Sequence, residues 1–142
     1  MTTSYLFWAL LGMAGYSFTT LFVKFATKAG LPSSVVVAIA TTCVCLGCWS
    51  IVIARGQAGV LVRSLGTPAG WWSLAVGVVL TIAVASLFRA LELGPASVVV
   101  PIYGMFIVGG FVLGVALLNE PLTLAKSIGI AAAVAGVFLI SM

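Results

Sequence analysis

Long uncharged stretches separated by single charges are the main pattern of this chain. The charged residues stand at eight positions: Lys24, Lys28, Arg55, Arg63, Arg89, Glu92, Glu120 and Lys126. A helix of about 20 mostly apolar residues crosses the roughly 30 Å of hydrocarbon in a bilayer, and five stretches between these charges are long enough. The pattern predicts transmembrane helices at about residues 5–27, 35–54, 71–93, 95–118 and 121–140.

Short connections join most of these helices. Gly94-Pro95 and Asn119-Glu120-Pro121 place residues that end helices next to a proline that suits a helix start. Such tight turns force neighbouring helices to lie antiparallel. The one longer connection, residues 55–70, is glycine-rich and is expected to be an aqueous loop. No linker divides the sequence, so residues 1–142 are predicted to form a single all-α transmembrane domain.

Composition supports a membrane protein and argues against a soluble domain. Of the 142 residues, 63% are hydrophobic and 6% are charged, against roughly 25% charged residues in soluble domains. The net charge of +4 is attributed to Lys and Arg flanking the spans, and no nucleic-acid partner is inferred from it. The first span lacks a preceding basic segment, so it is predicted to be a retained helix and not a signal peptide.

The distribution of Lys and Arg between the two membrane sides predicts the orientation. With five crossings, Arg55, Arg63 and Lys126 fall on the side of the N-terminus, and the other three cations fall opposite. Because this balance favours neither orientation, the chain is predicted to insert both ways.

A polar stripe on the first helix is the strongest candidate site. Ser17, Thr20, Lys24, Thr27 and Lys28 fall within an arc of about 100°. Ser17, Thr20 and Lys24 are therefore predicted to bind substrate, with Lys24 as the counter-charge for a carboxylate or phosphate. The alternative is that Lys24 lies near the helix end and extends to the lipid headgroups.

Other candidates have both a functional and a structural interpretation. Arg89 and Glu92 are spaced to form an ion pair, which either gates the site or stabilises a helix end. Glu120 places a negative charge at the N-terminus of the fifth helix, where the helix dipole makes it favourable. The second possibility is that Glu120 takes part in coupling transport to an ion. Pro101 can kink the fourth span, so Pro101 and Tyr103 either line the substrate path or only pack there.

No metal, cofactor or enzymatic activity is expected. Cys43, Cys45 and Cys48 do not share one helix face and the chain has no histidine, so they are interpreted as small buried apolar residues. Hydrolytic and acyl-transfer chemistry needs a nucleophile with a positioned base, and Glu92 and Glu120 are the only acids available.

The C-terminal part of the chain resembles a known transporter repeat. Residues 94–142 contain a Gly-Pro-Ala-Ser turn, a proline in the fourth span, an Asn-Glu-Pro-Leu-Thr turn and a glycine-rich last helix. This order resembles an EamA-type repeat of the drug/metabolite transporter superfamily. The first span, with its lysine near the end followed by Gly-Leu-Pro, is similar to the start of the same repeat.

The resemblance implies a five-helix unit that typical family members carry twice, in opposite orientations. A chain with one unit can build the same arrangement as an antiparallel homodimer, with the substrate path at its interface and alternating access. The implied function is a transporter, and an exporter is favoured, for a small polar anionic or zwitterionic metabolite in a bacterial inner membrane. A flippase or flippase subunit for a lipid-linked sugar or other anionic lipid, and a membrane structural subunit, are the alternatives. Lys24 replaces the acidic residue typical of small multidrug exporters, which argues against lipophilic cations.

Overall fold

Helices make up most of the part of the chain that the computed structural model describes, residues 3–64, 66–119 and 121–141. They are α1 (Thr3–Lys28), α2 (Ser33–Ala54), α3 (Ala58–Ser64), α4 (Pro68–Leu93), α5 (Ala96–Gly104), α6 (Phe106–Leu118) and α7 (Leu124–Ser141). No strand occurs within these ranges. The predicted all-α membrane fold is thus confirmed.

Within the described residues, four helical segments are long and apolar enough to cross a membrane: α1, α2, α4, and α5 together with α6. The apolar part of α7, Leu124–Ile140, is shorter. At 1.5 Å per residue it measures about 25 Å, slightly less than the usual hydrocarbon thickness.

Threonine caps set two helix starts that differ from the predicted ones. The Thr67 hydroxyl oxygen accepts a hydrogen bond from the Gly70 N–H at 3.3 Å, so α4 begins at Pro68 and not at Trp71. Threonine at this position followed by proline is a favourable helix start. The Thr123 hydroxyl oxygen likewise accepts from the Lys126 N–H at 3.4 Å, and α7 begins at Leu124 instead of Pro121.

The connection expected to be a loop, residues 55–70, contains the short helix α3. Gly56 precedes it with a φ of +65°, a left-handed conformation that glycine adopts without a steric penalty. The connection is therefore more ordered than its glycine content indicated.

The fourth span is divided by a turn at Met105, which separates α5 from α6. Pro101 has no N–H to donate within α5, and four residues later the Met105 N–H bonds to the carbonyl of Ile102, at 3.1 Å, in a tightened turn. The break therefore lies after the proline, whereas the bond that Pro101 cannot make would have gone to the carbonyl of Ser97, one turn before it.

The chain forms two compact units, Met1–Glu92 and Leu93–Met142. In the first unit α1 packs against α2, and the most buried apolar side chains are Val23, Leu87, Phe88 and Leu91. All four lie towards the C-terminal ends of α1 and α4. In the second unit both α5 and α6 pack against α7.

Candidate functional site

The hydroxyl groups of the α1 stripe donate to the backbone of their own helix. Ser17 donates to the carbonyl of Met13 at 3.0 Å, and Thr20 donates to the carbonyl of Ser17 at 2.8 Å. Thr27 donates to the carbonyl of Val23 at 3.0 Å. Their hydrogens are therefore used within the helix, while the hydroxyl oxygens still have lone pairs that can accept a hydrogen bond.

Burial places Lys24 at the edge of the packed face of α1. Val23 is buried, and Thr20, Lys24 and Thr27 are half-buried on the same side of the helix. Ser17 is exposed, so the stripe runs from the packed face onto the open surface. Lys24 lies four residues before the end of α1, about 6 Å along the helix axis.

Arg89 and Glu92 form an ion pair at the end of α4. The Arg89 guanidinium donates to the Glu92 carboxylate with an N–O distance of 2.7 Å. Ser33, the first residue of α2, lies close to this carboxylate and interacts with it. Since a helix N-terminus attracts negative charge, Glu92 stabilises the start of α2 and links α4 to it.

The contact between Ser33 and Glu92 brings three helix ends together within the first unit. α1 and α2 pack as a hairpin with only residues 29–32 between them, so the end of α1 lies beside the start of α2. Three cationic side chains, Lys24, Lys28 and Arg89, share this end with the single carboxylate of Glu92. The end therefore carries an excess of positive charge.

Ser33 is the functional candidate that the sequence analysis missed. Its side chain is buried, at 6% exposure, and it contacts the carboxylate of a residue far away in the chain. A serine in the first turn of a helix can be recognised in the sequence, but its partner across the fold cannot be predicted from spacing.

Pro101 and Tyr103 belong to the second compact unit, and the α1 stripe belongs to the first. Both are half-buried, and the Tyr103 ring contacts Phe106 edge to face, with 5.9 Å between ring centroids. This ring contact fits the packing interpretation of Tyr103. Glu120 lies outside the described residues.

The three cysteines are exposed on α2, in contrast to the buried positions expected for them. The apolar segment of α2 contains no buried residue, so the exposure is common to this segment and is not limited to the cysteines. The described ranges contain no cluster of residues suited to holding a metal ion.

Comparisons with known proteins agree with the resemblance noted in the sequence. The model of the EamA-like transporter family matches residues 3–142. A Sinorhizobium protein described as an uncharacterized transporter in the cobO 3' region is 33% identical over 143 residues, covering 100% of this chain and 99% of that protein. No solved structure gives a significant match.

Proposed function

The chain belongs to the EamA-like transporter family, and from this premise we propose that it exports a small polar metabolite with an anionic or zwitterionic group. The observation that carries this proposal is the cationic end of the first unit, where Lys24 is half-buried on a polar stripe. An ionisable side chain within a transmembrane helix is costly and is by default a candidate for function.

The chemistry of the stripe supports the choice of cargo. Lys24 supplies a positive charge, and Thr20 presents a hydroxyl oxygen that can still accept a hydrogen bond. A carboxylate or phosphate would bind the lysine, and an ammonium or hydroxyl group of the same molecule would donate to the hydroxyl oxygen. The Arg89–Glu92 pair at the same end is proposed to gate access.

We place this site in an antiparallel homodimer that works by alternating access in a bacterial inner membrane. The balanced Lys and Arg count supports insertion in both orientations. The Sinorhizobium relative also has about the length of one five-helix unit. Two chains of opposite orientation would face each other across a substrate path that both of them line. In this proposal Pro101 and Tyr103 also line that path.

Transport by purified protein in proteoliposomes tests the cargo. The panel contains radiolabelled amino acids, dicarboxylates and sugar phosphates, and Lys24→Ala is compared with Lys126→Ala, which removes one cation from α7, outside the stripe. We expect Lys24→Ala to abolish uptake of the accepted compound and Lys126→Ala to retain most of it. Full activity of Lys24→Ala would refute the role of this lysine.

The same vesicles separate the alternative functions. Movement of a fluorescent anionic lipid between leaflets, with no uptake of soluble metabolites, would contradict metabolite export and would indicate that the protein is a flippase. Neither activity, from protein that elutes as a folded species, would favour the structural subunit.

Cysteine crosslinking tests the dimer. Single cysteines are introduced by Leu31→Cys or Ala58→Cys in a background without native cysteines. Leu31 lies between α1 and α2, and Ala58 begins α3, just beyond the opposite end of α2. An antiparallel dimer should crosslink Leu31→Cys protein to Ala58→Cys protein when the two are co-expressed. Crosslinks only between identical positions would indicate a parallel dimer and contradict the proposal.

A further inference from the structure

A cavity of about 410 Å³ lies in the first unit between the end of α2, the short helix α3 and the start of α4. Most of its lining is apolar, with one amide and two hydroxyl groups. The lining residues are Val52, Gln57, Val60, Leu61, Ser64, Gly70, Ser73 and Leu74. None of the substrate-binding candidates on α1 contributes to it.

Helix α3 covers this cavity with one face. Gln57, just before α3, and Val60, Leu61 and Ser64 within it follow the spacing of a single helix face. The deepest lining residue on α4, Leu74, lies about 9 Å along the axis from Pro68. With the start of α4 placed at the membrane surface, this distance is comparable to the depth that interfacial helices reach at the headgroup and acyl-chain boundary.

The hydroxyl groups in the lining already donate hydrogen bonds to backbone carbonyls and do not need water as an acceptor. Ser64 donates to the carbonyl of Leu61 at 2.8 Å, and Ser73 donates to the carbonyl of Ala69 at 2.9 Å. With these donors already bonded, the remaining surface is mainly that of valine and leucine. Such a cavity suits an apolar chain better than a polar metabolite.

The surroundings of the cavity carry positive charge and aromatic rings. Arg55 directly follows α2 and Arg63 lies within α3, while the one acidic residue of this unit, Glu92, is at the far end of α4. Trp71 and Trp72 are exposed near the start of α4, as interfacial tryptophans are. We propose that the cavity binds one acyl chain of an anionic phospholipid whose headgroup lies against Arg55 and Arg63.

Fluorescence quenching by brominated lipids tests this site without any transport measurement, so the result is independent of the proposed function. When Trp8 and Trp49 are replaced by phenylalanine, the tryptophan fluorescence comes only from Trp71 and Trp72, near the cavity. We expect phosphatidylglycerol brominated on its acyl chains to quench at a lower mole fraction than brominated phosphatidylcholine. Equal quenching by the two lipids would overturn the proposal.

Two pairs of variants locate the headgroup and the chain. Arg63→Gln should raise the phosphatidylglycerol fraction needed for half-maximal quenching about fivefold, the effect of one cation at a membrane surface. Lys126→Gln removes one cation from the same predicted membrane side and should leave this fraction unchanged. Equal effects of the two substitutions would show that only net charge matters and would refute the site.

Filling the cavity tests the acyl chain. Ser73→Phe adds bulk to the lining and should remove the preference for phosphatidylglycerol, whereas Val79→Phe, on the opposite face of α4, should retain it. A preference that survives Ser73→Phe would mean that the headgroup binds alone and would overturn the assignment of the cavity.

Discussion

Leu91→Ala measures how much side-chain packing contributes to the stability of this protein when lipid replaces water. Leu91 is fully buried, with 0% exposure, near the end of α4. Leu93, two residues further along the same helix, is 71% exposed and provides the matched control. The two substitutions remove the same atoms from the same helix end, so their difference isolates burial.

The expected magnitude follows from separating transfer from packing. In water-soluble proteins a buried Leu→Ala substitution costs about 2.7–5.0 kcal/mol, of which roughly 2.4 kcal/mol is the transfer of three methylene-sized groups from water. An unfolded membrane helix stays in lipid, so this transfer contribution is absent. Leu91→Ala should therefore lower the free energy of unfolding by about 0.5–2.5 kcal/mol, and Leu93→Ala should change it by less than about 0.5 kcal/mol.

Unfolding by sodium dodecyl sulfate in mixed micelles, followed by tryptophan fluorescence, provides the measurement. Equal losses for the two variants would refute the burial assigned to the end of α4. A loss near 5 kcal/mol for Leu91→Ala would refute the argument that water plays no part in its burial.

Three further predictions concern local structure and insertion. Thr67→Ala removes the cap of α4 and should lower the free energy of unfolding by about 1 kcal/mol in the same assay, with Thr67→Ser restoring most of it. Pro101→Ala supplies the missing backbone donor for the carbonyl of Ser97 and should slow hydrogen exchange of the α5 amides; unchanged exchange would show that the proline does not weaken this helix. Arg55→Gln with Arg63→Gln leaves one cation against three, so C-terminal reporter fusions should shift from mixed to single orientation.

The helices could be predicted from the sequence because their signal is local, whereas their ends depended on single hydrogen bonds. A run of apolar residues predicts a span, but whether α4 begins at Pro68 or Trp71 is decided by the Thr67 hydroxyl. The helix in residues 55–70 was not predicted because the glycines there outweighed the short apolar segment of α3, one face of which lines the cavity.

The candidate site divides along the same line. The α1 stripe and the spacing of Arg89 and Glu92 are properties of single helices and could be read from the sequence. The interaction of Ser33 with Glu92 joins residues from two helices that are far apart in the chain, so no spacing rule predicts it.

The exposed apolar surface of these helices does not by itself require a partner chain. Phe18, Phe22 and Phe25 are exposed on α1, but lipid is as apolar as these side chains, so their exposure costs little in a bilayer. Exposed hydroxyl groups do not require one either, because those of Ser73 and Thr81 donate to their own helix. The proposed dimer therefore depends on the balanced charges and on the chemistry of transport, and the crosslinking experiment tests it directly.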